Sequence, residues 1–183
     1  MTAEETLALW EADEQRVRAR LAAVGWARPS ELANRSGMQV FDAIFAGNLP
    51  SPPIGATLDF LPVHIEPGRA IFQGRPQQRH YNPLGSVHGG WFATLLDSAV
   101  GCAVHSTLPA GKAYTTLELK LNIVRPLTEA VPLVRAEGNV IHVGRQVATA
   151  EGRLVGHDGK LYAHASTTCL VFDAPAARRR SSP

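Results

Sequence analysis

Apolar positions recur along this chain with two different periods, and the change from one to the other divides it. Residues 2–24 read as an amphipathic helix: Thr2 and Glu5 have capping-box spacing, Leu7, Trp10, Val17, Leu21 and Val24 follow the helical period, and Gly25 is the stop. A shorter helix is expected over residues 38–46, with Met38, Phe41, Ile44 and Phe45 inward and Gly47 ending it. Pro50, Pro52 and Pro53 then break the chain, which predicts an N-terminal helical extension over residues 1–50 and a main domain over 51–173. From there the period is that of strands, at 57–64, 69–75, 114–124, 133–142, 146–155 and 161–172. The stretch from Thr116 to Ile123 alternates strictly, placing Leu117, Leu119, Leu121 and Ile123 on one face, and His157-Asp158-Gly159-Lys160 is a hairpin turn.

Between the second and third strands lies a helix, expected from Gly89 to Ser106, that is apolar on nearly all sides and must therefore be covered on nearly all sides. Two strands, one such helix and four further strands exclude a doubly wound parallel sheet, which needs helices between its strands. The predicted class is α+β, an antiparallel sheet curved around one central helix.

A length of 183 residues, with 45% hydrophobic and 19% charged, fits one globular domain with an appendage. The net charge of +2 is too small to argue for nucleic acid, and much of it comes from Arg178-Arg179-Arg180, in a segment over 174–183 expected to be a disordered tail. Cys102 and Cys169 match no zinc or redox spacing and read as small buried hydrophobes in a reducing compartment. The apolar stretch of the long helix, ~16 residues, falls short of the ~20 needed to span a bilayer. With no leader segment in the sequence either, a cytoplasmic protein without a membrane partner is expected. The seven histidines scatter without ligand spacing, so no metal site is expected.

Against this background Asp97 is out of place. It sits in the middle of the apolar helix, two turns after His88-Gly89-Gly90, where an unpartnered buried carboxylate would cost several kcal/mol. Two readings stand: an aspartate half in solvent or paired to a facing residue, and a catalytic carboxylate near a helix N-terminus that two glycines leave bare. A helix N-terminus carries unpaired N–H groups and about half a positive charge, suited to a developing oxyanion. Gly89 and Asp97 are eight residues apart, so ~12 Å of axial rise separates them and one helix cannot bring both to one carbonyl. Two antiparallel helices from two subunits can.

The string Asn82-Pro83-Leu84-Gly85-Ser86-Val87-His88-Gly89-Gly90, Asp97 beyond it, Thr116-x-Glu118-Leu119 and Asn122-Ile123-Val124-Arg125-Pro126 together resemble the PaaI-type thioesterases of the hotdog superfamily. The resemblance runs from about Gly37 to Phe172 and is similar also at Gly144-Arg145 and at Asp158-Gly159-Lys160-Leu161. It implies a hotdog fold, two subunits sharing each active site, a homodimer or a homotetramer built as a dimer of dimers, and hydrolysis of acyl-CoA without metal or cofactor. Asp97 would be general base or nucleophile, Gly89 the oxyanion donor, and Asn82 a neighbour of the attacking water or the carbonyl. Thr116 would approach Asp97 across the interface, although Thr115 shares the strand face of Leu117 and could be the one that points in. His88, Gly90 and Arg145 are the candidate substrate-binding residues, with His88 equally readable as a loop-packing residue and Arg145 as a solvated hairpin arginine.

Three other readings compete. A Ser-His-Asp arrangement through His88 and Ser86 or Ser98 lacks a nucleophile elbow. A hotdog hydratase would want a histidine where Asn82 stands, with His80 two residues away. A non-catalytic acyl-CoA binding module would have no use for Asn82, Gly89 and Asp97 together.

Overall fold

The computed structural model describes residues 1–174; the expected tail, Ala174 apart, lies outside the described residues. Four helices lead the chain: α1 (Ala3–Arg18), α2 (Pro29–Leu32), α3 (Gly37–Phe45) and α4 (Pro53–Leu58). Then come β1 (Phe60–Glu66), β2 (Arg69–Gly74), the 3-10 turn Gln78–His80, α5 (Gly89–Ser106), β3 (Lys112–Ile123), β4 (Val134–Val143), β5 (Val147–Gly156) and β6 (Leu161–Asp173). The six strands form one antiparallel sheet in the order β1-β2-β4-β5-β6-β3. α5 and β3 intervene between β2 and β4, and β3 closes the far edge beside β6. Among the described residues no helix is long and apolar enough to cross a membrane.

The sheet wraps α5 because α5 offers it a continuous apolar face. Phe92, Leu95, Leu96, Ala99, Val100, Ala103 and Val104 are all but fully buried against Phe72, Val134, Ala136, Ala148, Ala150, Leu154, Ala163 and Cys169. At ~1.5–3 kcal/mol for each large apolar side chain withdrawn from water, this layer is the dominant favourable contribution to the fold. Contact is closest at Gly138, where an added Cβ would lie 2.4 Å from the backbone of Ala99.

Two expected boundaries moved by more than two residues. α1 keeps its Thr2/Glu5 capping box but ends at Arg18, not at residue 24. Leu21 still packs with Val17, Leu61 and Val63, whereas residues 23–25 run extended and bond to Ser51 (Gly25 N–H to Ser51 O, 2.9 Å). The helical spacing of Leu21 thus reflects tertiary contacts made by a non-helical segment, whereas Val24 is exposed. Residues 57 and 58, expected as strand, finish α4: Pro53 stands in its first turn, Asp59 ends it in the left-handed region (φ 53°), and β1 starts one residue later.

α1 lies across the outer face of β1, β2 and β4. Its anchor is polar. Gln73, fully buried, donates to Trp10 O (3.0 Å) and Glu14 Oε2 (3.1 Å) and accepts from Arg135 Nε (2.8 Å). Arg135 also pairs with Asp13 (2.7 Å) and lies over the Trp10 ring at 4.6 Å. On the other side of the sheet α3 covers α5, with Phe41 edge-on to His105 and Gly37 so close that a Cβ would strike the His105 carbonyl.

Gly138→Ala is expected to lower unfolding stability by roughly 1–3 kcal/mol, read from denaturant midpoints, because neither strand nor helix backbone can yield. Burial holds the imidazole of His105 below its ordinary 6.5, and His80 likewise, through burial and then the Arg79 charge, against Asp59. The unfolded chain therefore binds these protons more readily than the folded one. Stability is whole above about pH 6.5 and declines as pH falls through the depressed folded values. Melting temperatures measured from about pH 7.5 to about pH 5 should fall, and fall less in His105→Gln.

Candidate active site

Asp97 lies on the flank of α5 that the sheet leaves partly open, and one side chain of its own chain meets it. The Thr116 hydroxyl donates to Asp97 Oδ1 at 3.0 Å. Strict alternation would have put Thr115 on this face. A bulge in β3 changes that: Thr116 pairs with Cys169 and Glu118 with Thr168, leaving Leu117 as the extra residue, 59% exposed. Tyr114 and Thr116 face the helix before the bulge, Leu119 and Leu121 after it, and Thr115 is exposed. The expected face of four residues thus loses Leu117 and gains Thr116. The expectation that Thr116 reaches Asp97 from a partner is also corrected, since the bond forms within one chain.

Burial, and then the neighbouring Asp97 carboxylate, push the Cys102 thiol up to about 12, against a hydrogen bond with Tyr114. Burial also raises the Tyr114 phenol well above its usual value, and the neighbouring Cys102, Cys169 and Asp97 add to it. Both groups are neutral at ordinary pH, so Asp97 has apolar or uncharged neighbours on this side. Sequence reasoning missed Tyr114. Its signal was Gly101, one turn after Asp97, where a Cβ would come within 2.9 Å of the Tyr114 hydroxyl.

His88, Gly89, Gly90 and Asn82 gather at the N-terminus of α5. His88 is the N-cap: its Nδ1 accepts the Gly90 N–H at 2.8 Å, so Gly90's donor is occupied by the protein. Among the described residues the Gly89 N–H has no acceptor, and an added Cβ at Gly89 would lie 3.3 Å from Ile123 Cδ1. The Asn82 carboxamide closes its own loop, accepting from Leu84 N–H (2.9 Å) and donating to Ser86 Oγ (3.2 Å). The loop is tied to the core through Val87 N–H to Leu127 O (2.9 Å) and His88 N–H to His80 O (2.8 Å). Arg145 is exposed in the β4–β5 turn.

Two groups result, Asp97 with Thr116, and Gly89 with His88, Gly90 and Asn82, separated along α5 by ~12 Å. Among the described residues, no hydrogen bond joins His88 to Ser86 or Ser98, and Ser98 donates instead to Thr94 O (2.8 Å). Trp91 and Phe92 are buried, with the Trp91 indole donating to Leu58 O (2.9 Å). No cluster of three His, Cys, Asp or Glu side chains able to hold a metal occurs among the described residues.

Residues 84–163 match the family model described as Thioesterase superfamily. The phenylacetic acid degradation-related protein of Ralstonia eutropha, a solved structure, is 30% identical to this chain and superposes with a TM-score of 0.65 over 71% of this chain and 98% of its own. The chain belongs to the thioesterase superfamily, as a PaaI-type hotdog member. Among curated relatives, the 1,4-dihydroxy-2-naphthoyl-CoA hydrolase of Listeria monocytogenes is 24% identical to this thioesterase-family chain, over 60% of the chain and 87% of the hydrolase. A candidate esterase of Halobacterium salinarum is 42% identical over 69 residues, which span 37% of this chain and 44% of that protein's own length.

Thr116→Val removes the one hydroxyl on Asp97 without changing side-chain size, whereas Thr115→Val alters an exposed neighbour. If Thr116 positions the carboxylate, thioester turnover by the first variant should fall by about ten-fold or more and by the second hardly at all, a split read from kcat at saturating substrate.

Proposed function

We propose that this chain hydrolyses acyl-CoA thioesters to the free acid and CoA, at sites completed by pairing of two copies. The observation that carries the reading is the separation within one chain of a poised carboxylate and a bare helix N-terminus. Asp97 has one oxygen engaged by Thr116 and the other open to a substrate or a water. Gly89 has an unengaged N–H at the positive end of an 18-residue helix. Neither group alone is sufficient for acyl transfer, and the Gly89 of a partner subunit can stand where its own chain's cannot.

In the proposed reaction the thioester oxygen accepts from the Gly89 N–H of one copy. Asp97 of the other either takes a proton from the attacking water or attacks the carbonyl carbon itself. The C–S bond breaks, and the sulfur leaves with the electron pair and is protonated to the CoA thiol. On the water route this releases the acid directly; on the covalent route a water then hydrolyses the acyl–Asp97 anhydride, releasing the acid and restoring the carboxylate. No metal or cofactor enters this scheme. His88 serves by capping the helix and so holding Gly89 in place, Asn82 by fixing the loop before it, and Arg145 by approaching the CoA phosphates. The name of the Listeria relative, a CoA-ester hydrolase, supports the reading. His80, which a hydratase would need as its acid–base partner, is buried and stacked on Trp91 at 5.5 Å.

Asp97→Asn keeps volume and most hydrogen bonding. It should leave oligomer and melting temperature intact and reduce release of free thiol from the best acyl-CoA by at least ~10²-fold. Gly89→Pro removes the other half of the site gently, because proline suits a first helical position and His88 already has the extended backbone (φ −64°, ψ 140°) preferred before proline. Each variant alone should be inactive. Mixed and re-paired, they should recover about one quarter of parental activity, since half the dimers then hold one intact site of two. An active monomer in light scattering, or no recovery on mixing, would sink the shared site, and near-parental turnover by Asp97→Asn would sink the mechanism.

A further inference from the structure

A cavity of about 340 Å³ lies between the N-terminal segments and the flank of α5 that bears Ser98 and Cys102. Phe41, Ile44, Phe60 and Phe72 give it apolar walls, and residues 21–24 and 51–56 form its rim. Ser98 follows Asp97 directly and Cys102 lies on the next turn, so the cavity opens ~100–140° around the helix from the carboxylate. The rim segments are clasped to each other by Gly25 N–H to Ser51 O (2.9 Å) and Ser51 N–H to Ala23 O (3.2 Å). Every wall residue before α5 precedes residue 84, outside the stretch that the family model matches.

The chemistry of the lining selects among the parts of a thioester. The Ser98 hydroxyl is spent on Thr94 O, the Cys102 thiol is neutral, and Arg18 at the rim is paired with Glu14 (2.8 Å) and Asp59 (2.7 Å). No unpaired cation is left in the lining to receive a phosphate or a carboxylate. Apolar cavities of ~150 Å³ already accept benzene, so this one accommodates a group roughly twice that size.

We infer that this cavity receives the acyl group of the substrate, that the group is uncharged, apolar and larger than a benzene ring, and that residues 21–24 and 51–56 set its upper size. The inference rests on the hydrolase reading of Asp97. Ala22 is therefore a specificity-determining position of the extension.

The test uses the full chain and two rim-filling variants, Ala22→Trp and, on the solvent side, Val24→Trp, which guards against a folding defect in the first. Thiol release is followed with acetyl-, hexanoyl-, decanoyl- and benzoyl-CoA, and binding of 2-octanone, a neutral ketone that no esterase cleaves, is measured by calorimetry. The parent should favour hexanoyl or benzoyl over acetyl by about ten-fold or more in kcat/KM, and the variants should lower that ratio by about ten-fold, the scale of discrimination apolar pockets reach. Binding of 2-octanone by the parent and its loss in the variants, with no acyl-CoA cleaved by any of them, would uphold the cavity and overturn the hydrolase reading. Hydrolysis with an acyl-length profile that neither variant alters would uphold the hydrolase and overturn the cavity assignment.

Discussion

An 18-residue helix that is apolar around most of its circumference is stable in water only when something encloses it, and the rest of this molecule follows from enclosing α5. The sheet curves because one flat face could not cover the arc from Leu95 through Ala99 to Val104. It approaches closely enough to do so because Gly74, Gly138 and Gly152 present no side chain toward the helix. The flank left over is the one with Gly90, Thr94, Asp97 and Ser98, and α3 packs on the helix further along, at His105. A carboxylate survives on this helix because it stands where enclosure stops.

That incomplete enclosure also determines how Asp97 is held. A hydrogen bond to a charged group contributes about 1.5–3 kcal/mol, comparable with the cost of half-burying the carboxylate, so one hydroxyl suffices. The bulge at Leu117 supplies it by shifting the parity of the part of β3 that precedes it while leaving Leu119 and Leu121 in the core. A regular strand would have forced a choice between packing the core and partnering Asp97. Leu117 pays for this by lying 59% exposed on an edge strand.

The N-terminal segments are attached by different means on the two faces of the sheet. α1 is seated through the buried Gln73 and its neighbours Glu14, Arg135 and Asp13, an arrangement that tolerates little sliding, since any unmet member would cost about 1–3 kcal/mol. α3 is seated by apolar contact and by Gly37 pressed on the end of α5. The chain between them, anchored at both ends, borders the cavity together with residues 51–56. Acyl selection would then reside in parts of the chain remote in sequence from the carboxylate.

Much of this was legible in the chain itself. The long helix, the four strands after it and the capping box of α1 follow from periodicity and local capping, which depend on residues a few positions apart. Asp97 and Gly89 stood out because a carboxylate and paired glycines conflict with that same local pattern. What the tertiary structure decided depends on residues distant in sequence. The helical spacing of residues 19–24 is no guide to a segment that bonds to Ser51, and the alternation of β3 cannot reveal a bulge imposed by its register with β6. Whether Thr115 or Thr116 meets Asp97 turns on that single inserted residue. The cavity beside Ser98 is likewise bounded by residues 21–24 and 51–56 on one side and by α5 on the other, and no local pattern encodes a space between segments so distant in sequence.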